Sequence, residues 1–215
     1  MELTIGPRLY STWSLRPWLV LKRAGAQFTT RDARYDTPDG KAELNLISPT
    51  GLVPLLTVEG ETFWDSLAIA EWAAETYPEA RLWPTDKTAR TYARSVTAEM
   101  HSGFTPLRTH CGFGGEHLLV GKGTAVPNIT PEVEANLRRL VTIFTQMRGR
   151  YGKSGPWLFG EWSIADAFFT PVASRVRHYQ IDLAGYGDAD GTAAEYVASL
   201  LGQPDFLEWE AVALA

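Results

Sequence analysis

Three short stretches carry residue types that together could hold and activate a small anionic thiol. Tyr10-Ser11-Thr12-Trp13-Ser14 sets hydroxyls just ahead of an apolar run. A hydroxyl at a helix N-terminus can donate to a thiolate and lower its pKa. Such a charge-assisted bond is worth about 1.5–3 kcal/mol, which is roughly one to two pKa units. That is enough to make the thiolate a large fraction at neutral pH for a thiol starting near about 8.5. The second stretch, Ser48-Pro49-Thr50-Gly51-Leu52-Val53-Pro54-Leu55-Leu56, contains an X-Pro pair, where a cis peptide is tolerated. A cis bond before a strand would turn the backbone N–H and C=O of Val53 outward, to pair with an extended ligand as in strand addition. The third is Asp65-Ser66, ahead of Leu67-Ala68-Ile69-Ala70. A helix start with a free hydroxyl favours a carboxylate, and Asp65 could accept from a ligand ammonium.

Ordinary roles compete for the same residues. A trans proline can simply open an edge strand, and Asp or Ser commonly cap helices. One hydroxyl between Ser11 and Ser14 must cap the helix that follows. Proline fits the first helical turn, where its missing N–H would be an orphan, so Pro17 predicts a start near residues 13 to 15. Ser14 is then the expected cap, with Ser11 free to face a ligand.

The elements around these stretches change character along the chain. Residues 2–5 and 28–35 read as strands flanking a helix that is apolar over most of its circumference and therefore buried on several sides. Lys22, Arg23 and Gly25 suit its C-terminus. A polar connection follows the second strand. Leu55–Val58 and Glu61–Trp64 flank Glu59-Gly60, a hairpin signal, and a helix from Ser66 stops before Pro78. Beyond a Pro-containing linker at 79–87 the strand signal disappears. Helical patterns cover about 88–109, 131–149, 163–179 and 192–201, with a Gly-rich loop over 112–123. The expected organisation is an α/β domain over 1–78 and an all-α domain over 88–215.

Composition narrows the function classes. The chain has 215 residues, 45% apolar and 21% charged, and can bury a sizeable core. A net charge of −5 argues against a nucleic-acid surface. Cys111 is the sole cysteine, so no internal disulfide or thiolate-rich metal site is expected. The four histidines, at 101, 110, 117 and 178, lack zinc spacing, and no metal is expected. No signal-peptide pattern or membrane-length apolar run is seen, which makes cytoplasm the expected location. Gly121-Lys122-Gly123-Thr124 echoes a phosphate-binding loop but lacks its first glycine and its hydroxyl residue. Trp13, Trp18, Trp72 and Trp83 are expected in core or interface rather than as a ligand platform.

Taken together, Ser11 to Arg16, Val53-Pro54 and Asp65-Ser66 resemble the cytosolic glutathione S-transferase superfamily, in its bacterial serine-type, zeta-like form. Gly160-Glu161-Trp162-Ser163-Ile164-Ala165-Asp166 is similar to that family's buried capping box, and Ala98-Glu99-Met100-His101-Ser102-Gly103-Phe104 looks like a bacterial subgroup. The resemblance implies a thioredoxin-like N-terminal domain, an all-α C-terminal domain and a homodimer, with glutathione as co-substrate. It gives Ser11 the role of thiolate-activating hydroxyl and Val53 that of backbone partner to the cysteinyl unit. Asp65 and Ser66 would hold the γ-glutamyl end. Many relatives have Glu or Gln where Asp65 stands, and Lys or Gln just ahead of the Val-Pro pair, where this chain has Leu52. The leading expectation is transfer of glutathione to a small hydrophobic electrophile in detoxification, seated against Met100, Phe104 and Phe206 or Trp209. The alternatives are a zeta-type cis–trans isomerase and a binding module without turnover. No nucleic-acid or membrane partner is implied.

Overall fold

The computed structural model describes residues 1–34, 37–112 and 127–215; most of the Gly-rich loop, His117 and Gly121–Thr124 lie outside them. The chain begins β1 (Glu2–Ile5), α1 (Thr12–Arg23), β2 (Thr29–Asp32), α2 (Pro38–Ile47), β3 (Leu55–Val58), β4 (Glu61–Trp64) and α3 (Ser66–Thr76). The strands form one mixed sheet in the order β2-β1-β3-β4, with β1 parallel to β2 and antiparallel to β3. Leu3 and Ile5 of β1 and Leu55 and Leu56 of β3 are buried, as the two interior strands require. The β3–β4 hairpin pairs Val58 with Glu61 across Glu59-Gly60, both at positive φ. That is the conformation a two-residue turn of the first primed type demands.

The described residues after 80 are helical or irregular, apart from isolated bridges at Trp157–Gly160 and Phe159–Glu161. The helices are α4 (Lys87–Ser102), α5 (Thr105–His110), α6 (Pro131–Tyr151), α7 (Ile164–His178), α8 (Thr192–Leu201) and α9 (Pro204–Ala213). The pattern expected as one helix over 88–109 is two, broken at Gly103 and at Phe104, which sits at φ 56°. None of the described helices is long and apolar enough to cross a membrane.

Helix α1 packs against α3 on one side and against α7 and α9 on the other. Thr12 and every residue from Ser14 to Leu21 are buried. It starts at Thr12, earlier than Pro17 suggested, and Pro17 sits in the second turn. Burial on all sides holds a proline position that propensity alone disfavours. Two elements were not legible in sequence. Helix α2 replaces the expected polar connection, opened by a Thr37 cap and Pro38 and buried only at Gly40 and Leu44. Helix α9 carries Phe206 and Trp209 fully into the core. The segment 79–87 is packed rather than loose, with Leu82 and Trp83 buried and the Leu82 carbonyl accepting from Ile164 N–H at 2.9 Å.

The entry to α7 carries the capping box at Ser163 and Asp166. The buried Asp166 carboxylate accepts from Leu158 N–H, Ser163 N–H, the Ser163 hydroxyl and the Tyr196 hydroxyl, all within 3.1 Å. It thus ties the turn before α7 to α8. Asp166→Ala strands these donors in the interior and is expected to lower stability by about 3–5 kcal/mol, measured by urea unfolding at neutral pH.

Candidate functional site

Ser11, Val53, Asp65 and Ser66 all line one cavity of about 1190 Å³. Its other walls include the Gly6–Tyr10 loop, Trp13, Leu52, Trp64, His101 and, from the end of α9, Val212 and Ala213. Both halves of the chain therefore build it.

The turn between β1 and α1 brings Ser11 beside Val53. Gly6 lies between them, and a Cβ there would stand 3.1 Å from Ser11 Cβ and 3.2 Å from Val53 Cγ2. The hydroxyls divide their work differently from the sequence expectation. Ser11, not Ser14, caps α1: its Oγ accepts from Ser14 N–H at 3.3 Å and its hydroxyl donates to Ser14 Oγ at 2.8 Å. Ser14 is fully buried and its Oγ also accepts from Gly6 N–H at 3.0 Å. The later start of α1 inferred from Pro17 is what misplaced the cap. Ser11 nonetheless keeps a face on the cavity, and a hydroxyl rotor can redirect its proton to a ligand.

The Val53–Pro54 peptide is cis. Strand β3 is interior rather than an edge, so any strand addition is confined to the residues ahead of it. The Ser48 hydroxyl occupies both backbone groups of Leu52, accepting from its N–H at 3.1 Å and donating to its carbonyl at 2.8 Å. Val53 is the next residue along and faces the cavity.

Asp65 caps α3 at φ 72°, a left-handed conformation that a non-glycine residue adopts at a cost. Its Oδ1 accepts from Leu67 N–H at 2.8 Å and Ala68 N–H at 3.2 Å. Its Oδ2 lies 3.1 Å from His101 Nε2, on α4. Ser66 is buried and its Oγ has no hydrogen-bond partner among the described residues. An orphaned hydroxyl at a helix start, beside a carboxylate with one oxygen turned to the cavity, fits a zwitterionic α-amino acid end.

A buried cation lies behind this wall. Arg16 is fully buried on α1, and no nitrogen of its guanidinium has a hydrogen-bond partner among the described residues. Its guanidinium stacks over Trp13 at 4.2 Å and Phe168 at 5.0 Å. Burial, with added repulsion from Arg175 and Arg108, pulls Arg16 down to about 9, still protonated at neutral pH. Burial and Arg108 pull Arg175 down to about 10. On the cavity wall itself, Arg8 is fixed by Asp32 and Thr30 at 3.0 Å each, and its carbonyl accepts from Trp209 Nε1 at 3.2 Å.

Several sequence expectations need correction. Met100, Phe104, Phe206 and Trp209 are buried core and do not line the cavity; Val212 and Ala213 do. Trp13, expected in core or interface, is partly exposed on the cavity wall. In sequence His101 stands only among histidines without zinc spacing and within the Ala98–Phe104 stretch, yet it lines the cavity. No local signal marks it, because its partner lies 36 positions away. Among the described residues, no group of His, Cys, Asp and Glu is arranged to hold a metal.

The chain is similar to known proteins in sequence and in fold. A family model described as the glutathione S-transferase N-terminal domain matches residues 10–76. A probable maleylacetoacetate isomerase of Caenorhabditis elegans is 28% identical, over 93% of this chain and 94% of its own length. A maleylpyruvate isomerase of a Ralstonia species is 27% identical over 68% of each chain. Among solved structures, a Burkholderia glutathione transferase homologue with bound glutathione superposes with a TM-score of 0.72 at 23% identity, covering 99% and 97% of the two chains. A zeta-class maleyl pyruvate isomerase also gives 0.72, at 21% identity and 97% and 96% coverage. The fold is that of the glutathione S-transferases, a thioredoxin-like N-terminal domain followed by a mostly helical region.

Arg16 offers a direct test of the buried charge. Replacing a buried, unpaired cation by an apolar side chain of similar length removes its desolvation cost. Arg16→Met is expected to raise stability by about 1–4 kcal/mol in urea unfolding, the reverse of the usual effect of a core substitution.

Proposed function

We propose that this chain is a member of the glutathione S-transferase superfamily and a glutathione-dependent cis–trans isomerase acting on small cis-enedioates. The observation that carries the reading is the convergence of Ser11, Val53, Asp65 and Ser66 on one cavity, in a chain similar over nearly its whole length to a maleylacetoacetate isomerase. Sequence alone favoured transfer to an electrophile. The relatives move isomerisation ahead of it.

Bound glutathione would supply a thiolate that adds to an electron-poor double bond and departs after rotation about the bond. The residues do the rest. Ser66 and the start of α3 would take the γ-glutamyl carboxylate, where backbone N–H groups and the macrodipole favour an anion. Asp65 Oδ2 would take the ammonium, and Val53 would pair with the cysteinyl backbone. The Ser11 hydroxyl would turn from Ser14 Oγ to the sulfur and hold it ionised. Arg8 and Arg34 are cations on the cavity wall, and Arg16, Arg108 and Arg175 form a positive field behind it, suited to a dianionic substrate.

Transfer to an apolar electrophile is the second reading. What favours it is the apolar part of the wall, with Leu9, Trp13, Leu52, Trp64 and Val212 around the opening. Incubation with glutathione and maleylpyruvate or maleylacetoacetate separates the two. Isomerisation converts the cis acid to the trans acid with total glutathione unchanged. Loss of glutathione with chlorodinitrobenzene, and no trans product from either acid, would leave transfer as the function.

The two serines give a sharper prediction. Ser11→Ala should abolish the ultraviolet thiolate absorbance of bound glutathione. Ser14→Ala should keep that absorbance while costing about 1–3 kcal/mol of stability, because it strands the buried Gly6 N–H. Thiolate loss in Ser14→Ala alone would transfer the activating role to Ser14.

A further inference from the structure

We infer that His101 is a pH-sensitive positioning residue for the γ-glutamyl end of glutathione, acting through Asp65. The inference rests on the glutathione reading above and adds to it a residue from the helical half. His101 sits near the end of α4 and faces the cavity. Its Nε2 lies 3.1 Å from Asp65 Oδ2. A carboxylate oxygen can only accept, so Nε2 carries the proton. The other ring nitrogen, Nδ1, is buried with no hydrogen-bond partner among the described residues. The ring is held edge-on to Trp13 at 5.3 Å and against Phe168 of α7 at 6.0 Å.

In this state Asp65 is saturated on one side only. Leu67 and Ala68 N–H groups hold Oδ1, and the His101 N–H holds Oδ2 from behind. A neutral imidazole fixes the carboxylate without cancelling its charge, leaving a full negative charge for the ligand ammonium. A protonated imidazole would do the opposite. It would neutralise Asp65 and set a second cation beside the incoming one.

The charged groups around His101 decide which state is present. Asp65, at the start of α3, favours the imidazolium, while Arg16 of α1 and Arg108 of α5 oppose it. Phe168 is the group α7 contributes directly; Arg175 of the same helix acts on Arg16 and Arg108. Burial is the largest influence and, with the two arginines, outweighs Asp65, so the imidazole is held below its ordinary value. His101 is therefore neutral at pH 7 and gains its proton only in more acidic solution.

The linkage has a definite sign. An ammonium bound at Asp65 pushes the His101 pKa further down, so binding excludes a proton wherever free His101 is protonated. Affinity must then fall with acidification, by at most about tenfold per pH unit for one proton. The test is calorimetric binding of S-methylglutathione, which has no thiol to titrate, between pH 7.5 and pH 4.5. The wild-type Kd should rise by about threefold or more over this range, while in His101→Gln the ratio of the Kd at pH 4.5 to that at pH 7.5 should be smaller, whatever its affinity at pH 7.5. Titrating wild type at pH 5 in buffers of different ionisation enthalpy should show protons released on binding. Superimposable pH profiles for the two proteins, or no proton release by wild type, would overturn the role of His101 while glutathione binding stands. Absence of S-methylglutathione binding at every pH would instead remove the glutathione reading, and this inference with it.

Discussion

Burial of helix α1 on nearly all sides is the constraint on which the rest of the molecule depends. Its flanks pack on α3, α7 and α9, so the sheet half and the helical half share one core through it. Each end then has a task. The N-terminal end places Ser11 and Ser14 at the turn from β1, where a side chain at Gly6 would crowd both Ser11 and Val53. At the C-terminal end, Lys22 pairs with Glu208 at 2.8 Å and Arg23 with Asp205 at 2.9 Å, both on α9. Both pairs keep access to solvent and are weak individually. The packing of Trp18 on Trp209 beside them does more to fix α9. Once fixed, α9 reaches back through Trp209 to the Arg8 carbonyl and lays Val212 and Ala213 along the cavity.

A helix buried this completely cannot keep its polar residues in water. Arg16 shows the consequence. Among the described residues it has no acceptor, only ring faces, and it lies among other arginines. Nothing in the fold requires a charge there, since Leu15, Leu19 and Val20 fill adjacent core with apolar atoms. A cation retained against its own desolvation is better explained by the site in front of it, where an anionic ligand and Asp65 would both feel its field. The positive φ at Asp65 belongs to the same pattern of local cost concentrated around one cavity.

What could be read from sequence was what local physics determines. The Glu59-Gly60 turn, the start of α3 at Ser66, the capping box before α7 and the span of α8 each rest on residues within a few positions of one another. Helix α2 escaped because its apolar stripe is nearly absent; only Thr37 and Pro38 announce it. Helix α9 escaped because its last turn faces the cavity and its first the core, which blurs the period. The exchange of roles between Ser11 and Ser14 was unreadable for another reason. Pro17 was weighed as a helix-starting residue, and only the packing of α7 and α9 on α1 shows why it is tolerated deeper in. His101 depends on tertiary structure altogether, since it meets Asp65 across the two halves.

The balance between isomerisation and transfer follows from how the sulfur is held. Stabilising a thiolate lowers its intrinsic nucleophilicity and makes it a better leaving group. In transfer the sulfur enters once and stays, so stabilisation beyond what ionises it is partly wasted. In isomerisation the same sulfur must enter and depart within each turnover. A site that adds the field of buried Arg16 to the Ser11 hydroxyl gains on departure what it loses on attack. Under the proposed function, cations that would stabilise the sulfur would also suit a substrate carrying two carboxylates. An apolar electrophile would use only Leu52, Trp64 and Val212 of the wall, leaving Arg8 and Arg34 unused.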